Sequence, residues 1–373
     1  SPSIRWTDYL MKNSTLQTKS NLNISGGTKS VRYFVSLGLM TQGGLFKEFN
    51  YDENFDYSYK RFNYRANLDI DVTPTTTVTF NVSGIVSNDN KPRTGQGASG
   101  MIRNMMQSTP FNAAGIIDDR MVYTALDYTD LTLPFRSPQD PMEYLRQGSS
   151  NTNLNKLQSD LQVTQKLDFV TPGLSFRLKG SYNSWFNSSK DVTLARASYS
   201  PVLQEDNTIL YRQLSAATLP SYAERNSRGR DWYFEAAFNY NRRFGLNTVG
   251  ALLLYNQSKV YYPSTYSDIP SGYVGLVGRV TYDYDNRYMA EFNIGYNGSE
   301  NFHPDRRFGT FPAGSIGWVL SNEKFWEPLS RVVNFFKLRA SWGLVGNDKV
   351  GGDRFMYMAD PYTYNDGMFS RWG

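Results

Sequence analysis

Arg61-Phe62-Asn63-Tyr64-Arg65-Ala66-Asn67-Leu68-Asp69-Ile70-Asp71-Val72 sorts its side chains completely by parity. Even positions are aromatic or aliphatic, and odd positions are polar or charged. Successive side chains point to opposite faces only in a β-strand, so this stretch predicts a strand with one greasy and one wet face. The same split recurs. Leu157, Leu161, Val163, Leu167 and Phe169 oppose Gln158, Asp160, Gln162, Lys166 and Asp168; Leu174, Phe176, Leu178 and Tyr182 oppose Ser175, Arg177, Lys179 and Ser181. Trp232, Phe234, Ala236, Phe238 and Tyr240 alternate with Asp231, Tyr233, Glu235, Ala237, Asn239 and Asn241. Further strands are predicted at 16–26, 31–42, 77–88, 247–258, 273–284, 288–298, 311–320 and 335–345, about twelve in all. The strand at 247–258 alternates poorly.

The connections alternate short and long. Gly26-Gly27-Thr28-Lys29, Thr73-Pro74-Thr75, Thr171-Pro172-Gly173, Arg243-Phe244-Gly245 and Asp285-Asn286 carry hairpin chemistry. The stretches 43–60, 89–154, 188–230, 259–272 and 299–310 read as long loops, two of them longer than compact soluble domains normally hold. Outer-membrane barrels have this rhythm, with short periplasmic turns and long extracellular loops. Two segments depart from it. Ser321 to Asn334, on the predicted periplasmic side, suggests a short helix. Ala98 to Gln107, with Met101, Ile102, Met105 and Met106, reads as a packed loop helix, a Met-rich binding surface being the alternative.

Composition narrows the function classes. A net charge of +5, spread along 373 residues, gives no basic patch for nucleic acid. Aromatic residues make up 15% of the chain, and Tyr and Trp suit a boundary between apolar and wet surroundings. With Cys 0, disulfides, thiol catalysis and cysteine-held metals are excluded. No apolar run is long enough for a transmembrane helix, and the mean hydropathy of -0.52 agrees. A barrel remains open, because only alternate residues must face lipid. Ser1-Pro2-Ser3-Ile4-Arg5-Trp6 does not read as a signal peptide, which suggests a start inside a longer precursor.

The apolar faces carry no Lys, Arg, Asp or Glu, while the opposite face is dense in Asn, Ser, Thr, Arg and Asp. A wide barrel with a wet or plugged interior needs that polar face. The loop asymmetry and the strand number favour a membrane barrel over a soluble one. An arc of about twelve strands leaves two open edges that lipid cannot satisfy, so the expected unit is an all-β antiparallel transmembrane barrel segment, completed by other sequence.

Several motifs resemble the SusC/RagA-like branch of the TonB-dependent transporters. Asn23-Ile24-Ser25-Gly26-Gly27, Tyr33-Phe34-Val35-Ser36-Leu37-Gly38 and Gln42-Gly43-Gly44 resemble that family's first barrel hairpin after the plug, and Trp6-Thr7-Asp8 the segment before it. Tyr282 to Gly298, with Asp285-Asn286-Arg287-Tyr288, resembles a later hairpin. The most specific match is Phe308-Gly309, Phe311-Pro312-Ala313, Gly317-Trp318 and Asn322-Glu323-Lys324-Phe325, continued by Leu338 to Gly343 and Gly346-Asn347-Asp348. The likeness is weakest in 89–154 and 188–230. It implies a Gram-negative outer-membrane barrel of about 22 strands with a plugged lumen. It also implies a SusD-like surface lipoprotein over the extracellular mouth and energy from TonB-ExbB-ExbD. No plug domain, TonB-contacting segment or terminal strand is read in these residues.

Enzyme chemistry finds little footing. His303 is the only histidine, in a predicted loop with no nucleophile motif around it. Asp118, Asp119, Asp127 and Asp130 lie in a long loop without the spacing of a calcium hand. Arg306-Arg307 reads as a solvated pair. No cofactor is expected. A soluble carbohydrate-binding β domain and a passive porin are the competing readings. The primary expectation is import of oligosaccharides, with oligopeptides as the alternative. The residues expected to line the path are Arg65, Asn67, Asn183, Trp185, Tyr233, Glu235 and Asn297, because stacking rings beside amides and charges suit sugars and peptides alike.

Overall fold

The computed structural model describes residues 4–49, 51, 55–94, 97–108, 113–123, 140–263, 268–348, 354–355 and 357. Sixteen strands follow in chain order: β1 (Gln17–Gly27), β2 (Val31–Gly43), β3 (Ser58–Thr73), β4 (Thr76–Pro92), β5 (Ala113–Ile117), β6 (Arg120–Tyr123), β7 (Ser149–Lys166), β8 (Leu174–Thr193), β9 (Ser198–Leu203), β10 (Ile209–Ser215), β11 (Ser221–Phe244), β12 (Asn247–Tyr261), β13 (Ser271–Tyr284), β14 (Tyr288–Ser299), β15 (Phe308–Val319) and β16 (Lys337–Gly343). Twelve form one antiparallel sheet in the order β1-β2-β3-β4-β7-β8-β11-β12-β13-β14-β15-β16. The sheet does not close on itself, and its edges are β1 and β16.

Register carries the parity of Phe62, Leu68 and their neighbours across the sheet. Leu68 pairs with Tyr33 and Phe80, Phe80 with Leu161, Leu178 with Val163 and Ala236, Phe238 with Leu253, and Leu276 with Tyr255 and Tyr296. This face is exposed although apolar: Leu253 is 52% accessible, Phe292 52% and Ile316 67%. Aromatic side chains mark its ends. Tyr284, Tyr288 and Trp318 stack in sequence beside the short turns, and Tyr296 stacks on Phe308 at the other end. An exposed apolar band between aromatic girdles is a lipid face.

The turns follow the expected chemistry. Asp285 and Asn286 both have positive φ, 51° and 55°, as a two-residue turn matching strand twist requires. Between β15 and β16 the expected short helix is a pair of 3-10 turns, Leu320–Asn322 and Lys324–Leu329, with Pro328 inside the second. Glu323 accepts hydrogen bonds there from Tyr288 Oη (2.7 Å) and Trp318 Nε1 (3.0 Å).

The stretches read as long loops differ from expectation in one respect: the ladder runs on into them. β4 reaches Pro92, β8 reaches Thr193 and β11 starts at Ser221, so much of 188–230 is strand. Beyond the membrane neither face needs to be apolar, so these extensions, rich in Asn, Ser and Thr, lack the alternation that marks the rest. The two longest stretches also build a second sheet of four strands in the order β10-β9-β6-β5, with β6 and β9 parallel. Asp118 and Asp119 form the β5–β6 turn with positive φ; Asp127, Asp130 and the segment 131–135 lie outside the described residues.

The expected helix is α2 (Gly97–Gln107), and a short α1 (Trp6–Leu10) precedes β1. They share the buried apolar cluster, where Trp6, Leu10, Met101 and Met105 meet Phe46, Met121, Met142 and Tyr144. Met101 and Met105 are therefore core side chains, as a packed loop helix requires, while Met106 stays exposed. Tyr144 stacks on Phe46 at 4.6 Å between centroids and donates its hydroxyl to Lys47 O at 3.0 Å. The cluster sits at the end of the sheet that carries the long connections, leaving the wall below free of an apolar core.

Candidate functional site

All seven residues expected to line a path fall on the inward face. Leu68 outward places Arg65 and Asn67 of β3 inward; Leu178 outward places Asn183 and Trp185 of β8 inward. Phe238 and Tyr296 do the same for Tyr233 and Glu235 of β11 and for Asn297 of β14. The structure brings some of them together and separates others. Asn183, Trp185, Tyr233 and Glu235 stand on the adjacent strands β8 and β11. Arg65 and Asn67 are separated from them by β4 and β7, and Asn297 by β12 and β13.

The β8–β11 group is a hydrogen-bonded network. Tyr233 Oη donates to Glu235 Oε2 at 2.7 Å, and Arg177 Nε donates to Glu235 Oε1 at 2.9 Å. Glu235 is 8% exposed, and this pairing with Arg177 and Tyr233 satisfies both its oxygens. Asn183 Nδ2 donates to Asp231 Oδ2 at 2.7 Å, and Asn256 Nδ2 reaches Tyr233 Oη at 3.5 Å.

From Asn256 the row continues across β13. Gly275 pairs in register with both Asn256 and Asn297. A Cβ at Gly275 would collide with Asn256 Oδ1 and stand 3.0 Å from Asn297 Oδ1 and 3.2 Å from Tyr273 Oη. Asn256 Oδ1 and Asn297 Oδ1 are both shielded from solvent and accept no hydrogen bond from the described residues. Buried acceptors without donors are rare, and these two flank one spot, where a turn of either amide side chain would offer its oxygen to a hydroxyl or amide donor. Four members of this row, Arg177, Asp231, Asn256 and Tyr273, are additional to the residues singled out from sequence. Their signal is inward parity on neighbouring strands, which needs the register.

Below the row the inward face changes character. Leu254 pairs with Ala237 and Val277, and Ala237 is fully buried. Leu252 lies on the same face, so the poor alternation of β12 comes from an apolar patch on the inner wall. At the upper rim Asp191, 6% exposed, takes Arg225 at 2.6 Å and the hydroxyl of Ser150 at 2.6 Å. In the surface cluster, burial raises the Asp140 carboxyl against the pull of Arg146, and burial also raises the Tyr123 hydroxyl that donates to it at 2.9 Å. His303 Nδ1 accepts from the backbone N–H of Asp305 at 3.3 Å, capping a 3-10 turn.

An antiparallel sheet greasy and aromatic outside, polar and hydrogen-bonded inside, is the wall of an outer-membrane β-barrel. No family model matches the chain. It is 24% identical over 365 residues to "TonB-dependent receptor P3" of Formosa agariphila, covering 92% of this chain and 34% of that protein. It is 24% identical over 382 residues to "TonB-dependent receptor SusC" of Bacteroides thetaiotaomicron, covering 95% and 36%. In fold it matches a chain of the RagAB peptide importer in its open-open state with a TM-score of 0.62 at 17% identity, covering 94% of this chain and 38% of that one. The chain thus resembles SusC/RagA-like TonB-dependent transporters over nearly its whole length, and it is a barrel segment of the Gram-negative outer membrane. It spans about a third of the length of the curated relatives it matches.

Proposed function

We propose that this wall belongs to an importer of oligosaccharides, working with a SusD-like lipoprotein over its mouth and with energy from TonB-ExbB-ExbD through parts of the protein outside these residues. The observation that carries the reading is the inward row from Asn183 to Asn297, with its two unmatched amide oxygens flanking Gly275. Sugar hydroxyls donate to amide oxygens of this kind, and Trp185 offers a face for a pyranose ring two residues from Asn183. The apolar patch at Leu252, Leu254 and Val277 suits a dry contact with a plug rather than an open water channel. This favours a plugged transporter over a passive porin.

Oligopeptides are the second reading. The Arg177–Glu235 pair supports it, because it offers both signs of charge to a peptide, and so does the fold likeness to a peptide importer. The two readings separate in a strain lacking the gene, grown on defined oligosaccharides and on defined peptides as sole nutrient. Loss of growth on an oligosaccharide, restored by the gene but not by its Asn183→Ala/Asn297→Ala form, is expected. Loss on peptides alone would transfer the assignment to them, and unchanged growth on every substrate would refute both.

A further inference from the structure

The outward face carries a basic cluster that neither the fold nor transport requires. Rising along β11 toward the long connections, the outward positions are Tyr240, Phe238, Ala236, Phe234 and Trp232, then Arg230 and Arg228. On β12, Lys259 pairs in register with Trp232, and Tyr261 with Arg230. Three cations therefore stand together where the apolar band ends. Their charged groups lie against rings: Arg230 is 4.3 Å from the Tyr261 centroid, Lys259 5.5 Å from the same ring, and Arg228 4.8 Å from Tyr262. Tyr262 holds a left-handed backbone, φ 58°, to reach that place.

None of the three cations pairs with a carboxylate among the described residues. The nearest outward acid along β11 is Glu224, already engaged by Ser188 and Asn226 at 3.2 Å each. Ring contacts orient a guanidinium but leave its in-plane N–H donors unused. Beside Arg228 and Arg230 lies a groove of about 360 Å³ whose lining includes Val86, Leu157, Tyr182, Phe186, Asn155 and Ser184. Its apolar members continue the lipid band, and its polar members lie level with the cations. Above it, Asn88 donates to Asn151 and Asn153, each at 2.8 Å, making an outward ladder of amides.

We propose that this patch binds an acylated, phosphorylated glycolipid of the outer leaflet, the lipid A part of lipopolysaccharide. Its phosphate meets Arg228, Arg230 and Lys259, an acyl chain fills the groove, and its sugars face the asparagine ladder. Charge complementarity selects this occupant, because a cationic cluster at the level of the headgroups meets phosphates there, whereas a neutral lipid leaves the donors unmatched.

The test uses the full-length protein, purified in mild detergent and titrated by native mass spectrometry. The probes are bisphosphoryl lipid A, lipid A lacking its phosphates, phosphatidylglycerol and inorganic phosphate. Bisphosphoryl lipid A is expected to bind more tightly than any of the others. Each cation removed should weaken it roughly five-fold, and Arg228→Gln/Arg230→Gln/Lys259→Gln about a hundred-fold. Retention of heat-modifiable migration by the variant shows that its barrel is folded. Equal binding of phosphatidylglycerol to the unmodified protein would overturn the glycolipid assignment without any variant. Competition by inorganic phosphate at the same concentration would reduce the patch to an anion site, and unchanged affinity in the folded variant would remove it altogether. Lipid binding is read independently of transport, so the proposed import function can fail without affecting the outcome.

Discussion

Leu253 and Leu254 are adjacent, identical in chemistry and opposite in environment, so arginine at each measures the facing of the wall. Leu253 lies outward between Phe238 and Gly278 and is 52% accessible. It stands six residues above Asn247 at the short turn. At about 3.4 Å per residue and a tilt of about 40°, that is roughly 15 Å up, near the middle of a lipid band about 25 Å tall. An arginine there should cost about 2–4 kcal/mol of unfolding free energy. Leu254 lies inward against Ala237 and Val277, where an arginine disturbs the apolar inner patch but can carry its guanidinium to the polar row at Asn256 instead of into lipid. Its cost should lie near about 1 kcal/mol, the centre of the range for single substitutions, and below that at Leu253. Urea unfolding of the full-length protein in liposomes, followed by tryptophan fluorescence, measures both. Equal costs, or a larger cost at Leu254, would refute the assigned faces and with them the inward placement of the candidate site.

Further outcomes test other levels of the structure. Asp206→Cys, in the β9–β10 turn, should react with an impermeant maleimide on intact cells while Thr75→Cys does not; the reverse would invert the sidedness. Gly275→Ala should fill the space between Asn256 and Asn297 and reduce uptake of the substrate while leaving heat-modifiable migration intact, and full uptake would show that this spot is not used. Tyr144→Phe removes the hydroxyl donated to Lys47 O and should destabilise the surface cluster by about 1 kcal/mol, seen as faster proteolytic nicking of 89–154. Hydrogen bonds from Tyr288 and Trp318 hold the Glu323 carboxyl below its ordinary pKa. Its contribution to the β15–β16 turn is therefore present above the ordinary carboxylate value and lost as pH falls through the lowered one. Acid opening of that turn, followed by hydrogen exchange, should disappear in Glu323→Gln.

The twelve wall strands were legible because the membrane demands an apolar residue at every second position, and Arg61 to Val72 shows that demand without exception. Where the demand lapses, so does the signal. Residues 188–193 and 221–230 continue the ladder in water, with Ser188, Ser189, Asn226 and Ser227 on both faces, and they read as loop. The second sheet was hidden for a related reason: Ala113–Ile117 and Arg120–Tyr123 are too short to show a period, and the second of them pairs with Ser198–Leu203 across a long sequence separation. The surface core was half legible. Met101 and Met105 announced a packed helix face, but nothing local joins Trp6 to Phe46 and Tyr144. Within the candidate site, Tyr233 and Glu235 stood out as polar groups on a strongly patterned strand. Asn256 did not, because β12 carries leucines on both faces.

Parity links the lipid face to the site. Within the described wall the ladder is regular from strand to strand, and the one shift of register, between Asp71 and Thr73, falls at a turn. Displacing any strand by one residue would turn its whole apolar set inward and its charges toward lipid. On β11 that would expose Glu235 and Asp231 to the bilayer and bury Phe234 and Phe238 in the wet interior. At about 2–4 kcal/mol for each basic residue brought to mid-membrane, and less for each acidic one, even a single slipped strand is strongly disfavoured. The partners of Glu235 are thus fixed twice, by their own hydrogen bonds and by the aromatic residues on the opposite face. The same logic allows the apolar inward patch at Leu252 and Leu254. Neighbouring strands hold β12 in register, so its own sequence is free to place leucine on both sides. Replacing Leu252 and Leu254 by serine should therefore leave the wall folded and in register, while weakening whatever packs against the inner patch.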